Sequence, residues 1–218
     1  MQEQFKSDKE KFVVKEVMPF PAINWWLDCI DNPVIYLNTH EIYKKEKPLN
    51  RYTLTASQGV QLMSIPLKGG RNQKKIVEEV MISYDMDWNS HHWKTMQSMY
   101  RKSPFFEFYE RELEFFYESR PNSLFEWNKK SIELMIQLLG LKTEVKEWRK
   151  DEVLGTNIVS EAESMPPLKY HQVFKDRVPF QPNCSILDLL FCEGNNSLYL
   201  LRQHALASRA SIEAVEKT

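Results

Sequence analysis

Two hydrophobic rhythms run along the chain, and the change between them falls near residue 88. Before it, apolar residues come in short runs rich in β-branched side chains, which predict strands. "FVVKEV" (residues 12–17) is the first such run. Pro19 and Pro21 then hold a loop, Ala22–Ile30 has helical spacing, and Asp31, Asn32 and Pro33 stop the helix. "VIYLNTH" (Val34–His40) predicts the next strand. Strand, loop, helix, strand is a βαβ unit, whose two strands run parallel. "RYTLTASQGVQLMSIPL" (51–67) predicts two strands joined at Ser57-Gln58-Gly59. Apolar residues on both parities of the second predict a strand covered on both faces. Lys75–Tyr84 predicts one more strand.

From Trp88 the spacing turns helical, with helices expected over 88–101, 104–118 and 121–140. A charged stretch (142–167) follows, mostly loop, with a short strand possible at 143–148. Ser185 can cap a further helix, and Asp188, three residues on, can complete a capping box. Gly194 ends that helix, and Asn195 or Asn196 can begin another. The expected fold is mixed α/β: an N-terminal mixed sheet containing the βαβ unit, then a mainly helical C-terminal half. It forms one domain over 1–218, sheet-rich at about 12–85 and helical at about 88–203, with a tail at 204–218.

Composition narrows the classes. A chain of 218 residues can bury about 70% of the surface its unfolded form exposes, so it needs no staples. Lys plus Arg total 29 against 30 Asp plus Glu, a balance without the long-range field that collects nucleic acid. The three cysteines, Cys29, Cys184 and Cys192, have no metal-ligand spacing, so neither a metal nor a disulfide framework is expected. Reduced thiols fit a cytoplasmic protein. No run approaches the ~20 apolar residues of a membrane span, and the polar start "MQEQFKSDKEKF" lacks a signal-peptide core. No Gly-x-Gly-x-x-Gly, Gly-x-Ser-x-Gly or His-Glu-x-x-His is present, and no cofactor is expected.

Candidate chemistry centres on "WNSHHW" (88–93). At 100° per residue, Trp88, His92, Trp93, Met96, Met99 and Tyr100 share one arc, while His91 falls among Lys94, Thr95 and Ser98. His92 therefore faces the apolar side and His91 solvent. A buried imidazole needs a hydrogen-bond partner. It is either a core histidine fixed by one bond or a general base or acid at the floor of a cleft. His40 ends the second strand at its carboxyl edge, where open α/β sheets bind ligands. The polar segment after it holds Tyr43, Lys45, Asn50 and Arg51. It is either an exposed loop or a clamp, since Arg can grip a carboxylate or phosphate bidentately. Asp188, in the apolar "SILDLLF", either caps its own helix, pairs with a buried Arg or His, or does chemistry.

Taken together these segments resemble the WbqC-like family of bacterial proteins. The likeness rests on Phe20-Pro21 before an aromatic-rich helix, the polar segment His40–Arg51, "SIPLKGG", and Trp88, His92, Tyr100, Pro104 and Phe105. Tyr170-x-Gln172-x-Phe174 and "FQPNCSILDLLF" (180–191) are its most specific part, and it spans about residues 15–203. Leu49 departs from an expected Arg-Asn-Arg triplet, and "EVMPFP" lacks the Gln-Pro-Asn of many relatives. The resemblance implies surface-glycan (O-antigen) metabolism and acyl or aminoacyl transfer to an amino sugar or nucleotide sugar. His92 or His40 would then be the catalytic base. Tyr43, Lys45, Asn50, Arg51, Gln172 and Asp188 would bind substrate, and Trp25 and Trp26 could stack on sugar or base. A non-catalytic sugar-nucleotide-binding or scaffold module of a glycan-assembly complex is the alternative.

Overall fold

The computed structural model describes residues 13–149 and 165–216. The expected frayed start (1–10) and most of the charged loop lie outside the described residues. The βαβ unit forms as the pattern predicts: β1 (Val13–Lys15), α1 (Ile23–Leu27) and β2 (Val34–Asn38), with Val13 opposite Ile35 in parallel register. β5 (Glu144–Trp148) realises the short strand and lies parallel to β2 on its other side, giving the order β1-β2-β5. Ile35 and Leu37 point from β2 into the core and are fully buried.

The expected single mixed sheet divides in two. β3 (Arg51–Ala56) and β4 (Gly59–Ser64) form a separate antiparallel hairpin, turned at Gly59, whose φ of 117° is open only to glycine. β4 is not covered on both faces. Val60 and Leu62 are about half exposed, because among the described residues no third strand joins the two-stranded ribbon and nothing covers these side chains. The expected strand over Lys75–Tyr84 is instead a 3₁₀ turn, Val77–Glu79, between isolated bridges. Its backbone groups go to different partners: Val77 N–H to Glu41 O, Ser83 N–H to Pro66 O and Ile82 N–H to Asn122 O. Extended residues that each bond elsewhere satisfy their donors without building a ladder.

Helices α2 (Trp88–Tyr100), α3 (Phe106–Glu118) and α4 (Leu124–Leu139) follow the predicted spans, α3 and α4 starting two and three residues later than expected. Gly140 ends α4 in the left-handed region, its N–H and that of Leu141 capping the carbonyls of Gln137 and Ile136. α5 (Ile186–Glu193) and α6 (Asn196–Glu216) close the chain. α5 packs on β3, α1 and α3, and α6 on α1 and α5. Ser185 does cap α5, accepting from Leu187 N–H at 3.3 Å. Asp188 does not complete the box; its carboxylate turns into the core instead. Gly194 ends α5 at φ 55°, where a Cβ would stand 2.5 Å from the Phe105 ring, so a side chain there is excluded.

The core is unusually aromatic. The Phe20 ring meets Tyr52, Phe116 and Trp127 edge-on at 5.2–5.5 Å, an arrangement that adds about 1 kcal/mol per pair beyond area burial. Trp25 and Trp26 join this interior. Their indole N–H groups donate to Glu16 O and Pro21 O, so neither offers a face to a ligand, contrary to the stacking expectation.

Candidate functional site

The site begins with a strained residue. Phe20 has φ 37°, a conformation costly for a bulky side chain and persistent only where its surroundings over-determine it. Its N–H donates to Ser131 Oγ of α4 at 3.1 Å, and its carbonyl accepts from Ser185 Oγ at 2.8 Å. Asn128, one turn earlier on α4, donates to Val17 O and Leu49 O at 2.9 and 2.8 Å. One helix face thereby sets both the Phe-Pro loop and the turn leading into β3. On the other side Ser185 N–H bonds Thr53 O, and Asn183 Oδ1 accepts from Asn24 N–H at the start of α1.

Between these elements lies a cleft of about 130 Å³. Met18, Pro19, Phe20, Pro48 and Leu62 make its walls apolar, and Arg51 is its one charged lining residue. Arg51 Nη2 donates to the carbonyls of Lys45, Glu46 and Lys47 at 3.0–3.2 Å, so the guanidinium braces the turn from inside. Its Nε is buried without a partner. The turn is tied down again by Lys47, which pairs with Glu16 and Glu41.

Tyr52, next to Arg51, also lines the cleft, and its hydroxyl leads inward. It lies 3.2 Å from His92 Nδ1 and 2.6 Å from the Tyr117 hydroxyl. His92 is buried as the helical arc predicts, with His91 exposed. Its ring packs edge-on against Trp88 and Tyr52. Burial pushes its pKa down to about 4, helped by nearby His91 and opposed by a hydrogen bond to the Ser64 backbone. His92 is therefore neutral at pH 7. It does not line the cleft; Tyr52 stands between.

The other candidates divide sharply. Tyr43 and Asn50 are buried and bonded to each other at 3.0 Å, and Asn50 clasps Ile65 through Nδ2 and its own carbonyl. They hold the loop to the hairpin. Lys45 and His40 are exposed, with His40 Nδ1 2.9 Å from Thr39 Oγ1. Gln172 and Asp188 share a buried cluster of their own. Asp188 accepts from the hydroxyls of Tyr100 and Tyr170 and, at 3.2 Å, from Gln172 Nε2. Gln172 also grips Gln181 through both its backbone N–H and C=O. Asp188 thus pairs with tyrosines rather than with the Arg or His that sequence suggested. Burial raises all three thiols, Cys184 to about 11, so none is a thiolate nucleophile at neutral pH. Among the described residues no group of three or more His, Cys, Asp or Glu could hold a metal. No helix there is long and apolar enough to cross a membrane.

Sequence reasoning passed over Tyr52 and Tyr117. The signal for Tyr52 was present: alternation along β3 puts Tyr52 and Leu54 inward. Nothing local marks Tyr117, whose partner lies 65 residues away.

The WbqC-like protein family matches this chain over residues 20–158, more than half its length, and the chain belongs to that family. The match takes in the Phe-Pro loop, the Arg51 turn and α2, and stops short of the 170–174 and 180–191 segments. No curated protein and no solved structure matches the chain.

Proposed function

We propose that this WbqC-like protein transfers an acyl or aminoacyl group to the amine of a sugar, nucleotide-linked, in the making of a surface polysaccharide. The supporting observation is the apolar cleft with a single guanidinium at its edge. Its volume, about 130 Å³, is well below the roughly 300 Å³ at which drug-sized pockets begin. It suits a short acyl or aminoacyl group and not a nucleotide. Arg51, with exposed Lys45 on the turn it braces, would hold the phosphate or carboxylate that accompanies that group.

An unprotonated sugar amine can attack an activated acyl carbon directly. The N–C bond forms, the leaving group departs with its electron pair, and one amine proton is shed. His92 is a poor recipient for that proton. A group with a pKa of about 4 is some three units from neutrality, or about 4 kcal/mol uphill. In this reading exposed His40, or water, takes the proton, and His92 fixes the orientation of Tyr52 on the cleft wall. The protein's contribution is then mainly proximity and orientation. The raised thiol pKa values favour direct transfer over a covalent enzyme intermediate.

The second reading is a non-catalytic sugar-nucleotide-binding module. It is favoured by the internal engagement of both His92 and Asp188. Thermal-shift titration with nucleotide amino sugars and acyl thioesters or aminoacyl donors, followed by mass spectrometry of the sugar, separates the two. Transfer requires stabilisation by both ligand classes, an acylated sugar, and loss of donor binding in a folded Arg51→Met variant. Stabilisation by the nucleotide sugar alone, with no acylated product, establishes the module instead.

A further inference from the structure

The near balance of charge over the whole chain hides a local excess. Residues 41–51 and 68–75 together carry eight Lys and Arg against two Glu, and the remainder of the chain is correspondingly acidic. The fold brings the two segments side by side. Ile42 and Ile76 face each other across an antiparallel bridge. Tyr43 N–H donates to Lys75 O at 2.9 Å, and Val77 N–H to Glu41 O at 2.8 Å. Burial raises the Tyr43 pKa, and Arg71 and Arg51, one from each segment, both stand near enough to oppose that rise.

Two of the eight cations are spent within the fold, Lys47 on Glu16 and Glu41 and Arg51 on its three carbonyls. The other six, Lys44, Lys45, Lys68, Arg71, Lys74 and Lys75, are exposed. Among the described residues none of the six is in an ion pair. Like charges gathered on one surface repel one another, and an anionic partner relieves that repulsion. What accompanies the charge says which partner. Nucleic acid is read with Arg forks on base edges and aromatic faces for stacking. Here five of the six cations are Lys, and the one aromatic residue of the two segments, Tyr43, is buried. A discrete phosphate site needs open backbone amides. Gly70 N–H is spent on Leu67 O, and Gln73 Nε2 closes the same turn on Gly70 O at 2.6 Å. The patch does expose Ile42, 51% accessible among the lysines. Flexible point charges around an aliphatic side chain suit an anionic lipid surface, which meets the charges at its headgroups and takes the side chain between them.

We propose that the 41–51 and 68–75 segments dock this protein peripherally on an anionic lipid bilayer, with Ile42 entering the interface. This stands or falls without the transfer reaction, since docking is read with no turnover and the variants below leave Lys45 and Arg51 in place. The test is co-sedimentation of the full chain with vesicles of phosphatidylcholine, alone or with about one quarter phosphatidylglycerol. The protein should pellet with the anionic vesicles, stay in solution with the neutral ones, and be released at about 1 M salt, where the screening length falls to roughly 3 Å. The triple variant Arg71→Gln, Lys74→Gln, Lys75→Gln alters exposed side chains and should weaken binding about a hundredfold, each cation near such a surface being worth about fivefold. Ile42→Ser should weaken it about fivefold, the worth of burying the exposed half of that side chain. Equal pelleting with neutral vesicles, none with anionic ones, undiminished binding by either variant, or preference for a DNA duplex over anionic vesicles in competition overturns the proposal.

Discussion

The buried polar clusters around Asp188 and around His92 are built differently. Around Asp188 a carboxylate receives two tyrosine hydroxyls and an amide, and every member is occupied by another. The residues involved sit on α2, α5 and the segment before it, so the cluster fastens the C-terminal helices to the body. Around His92 the groups are neutral and fewer. One member, Tyr52, reaches the apolar cleft, and another, Tyr117, lines an opening between α2 and α3. A fully satisfied network specifies packing. A network interposed between two openings can respond to what fills them. Both contain residues that sequence reading marked as functional, and only their surroundings separate them.

The sharpest way to break the contrast is Asp188→Ala. It strips the acceptor from Tyr100, Tyr170 and Gln172 at once and should cost about 3 kcal/mol or more in chemical denaturation. A loss near zero would mean that the cluster is not a structural lock. Second is the pH response of His92. Its folded pKa is depressed from 6.5 to about 4, so between those values the unfolded chain binds more protons and stability rises with pH. The contribution is complete above pH 6.5 and disappears as pH falls toward 4, a span worth about 3 kcal/mol. The stability difference between wild type and His92→Gln, followed by denaturation at stepped pH, should change across that window and stay flat above it. The smallest expected effects compare two hydroxyl deletions. Tyr170→Phe, which removes a bond to a carboxylate, should cost about 2 kcal/mol, and Tyr117→Phe, which removes a neutral one, about 1 kcal/mol. The reverse order would erase the distinction between the two networks.

Periodicity carried most of the element order. The elements of the βαβ unit, the hairpin and the helical half could all be read because the spacing that marks each element lies within a dozen or so residues. So could the inward turn of His92, since helical phase alone decides it. Pairing was less legible. Nothing near Glu144–Trp148 says that it will lie beside Val34–Asn38, and the isolated bridges of 75–84 look, in sequence, the same as a strand. The candidate site was half visible. Arg51 could be picked out by type, but its task of bracing three carbonyls depends on the turn it closes. Asn50 and Tyr43 were marked for their polarity, whereas burial commits them to each other. Phe20 stood out as part of a Phe-Pro pair, yet its backbone strain is legible only in three dimensions.

The parallel neighbour of β2 also has a bearing on synthesis. The chain leaves Asn38, winds through a hairpin and three helices, and supplies β5 about a hundred residues later. At ribosomal speeds of about 5–20 residues per second, that edge of the nascent sheet stays open for roughly 5–20 seconds. A bare, partly apolar strand edge is an invitation to the wrong neighbour, so this protein should lean on cotranslational chaperones, and shortened products that end before Glu144 should precipitate.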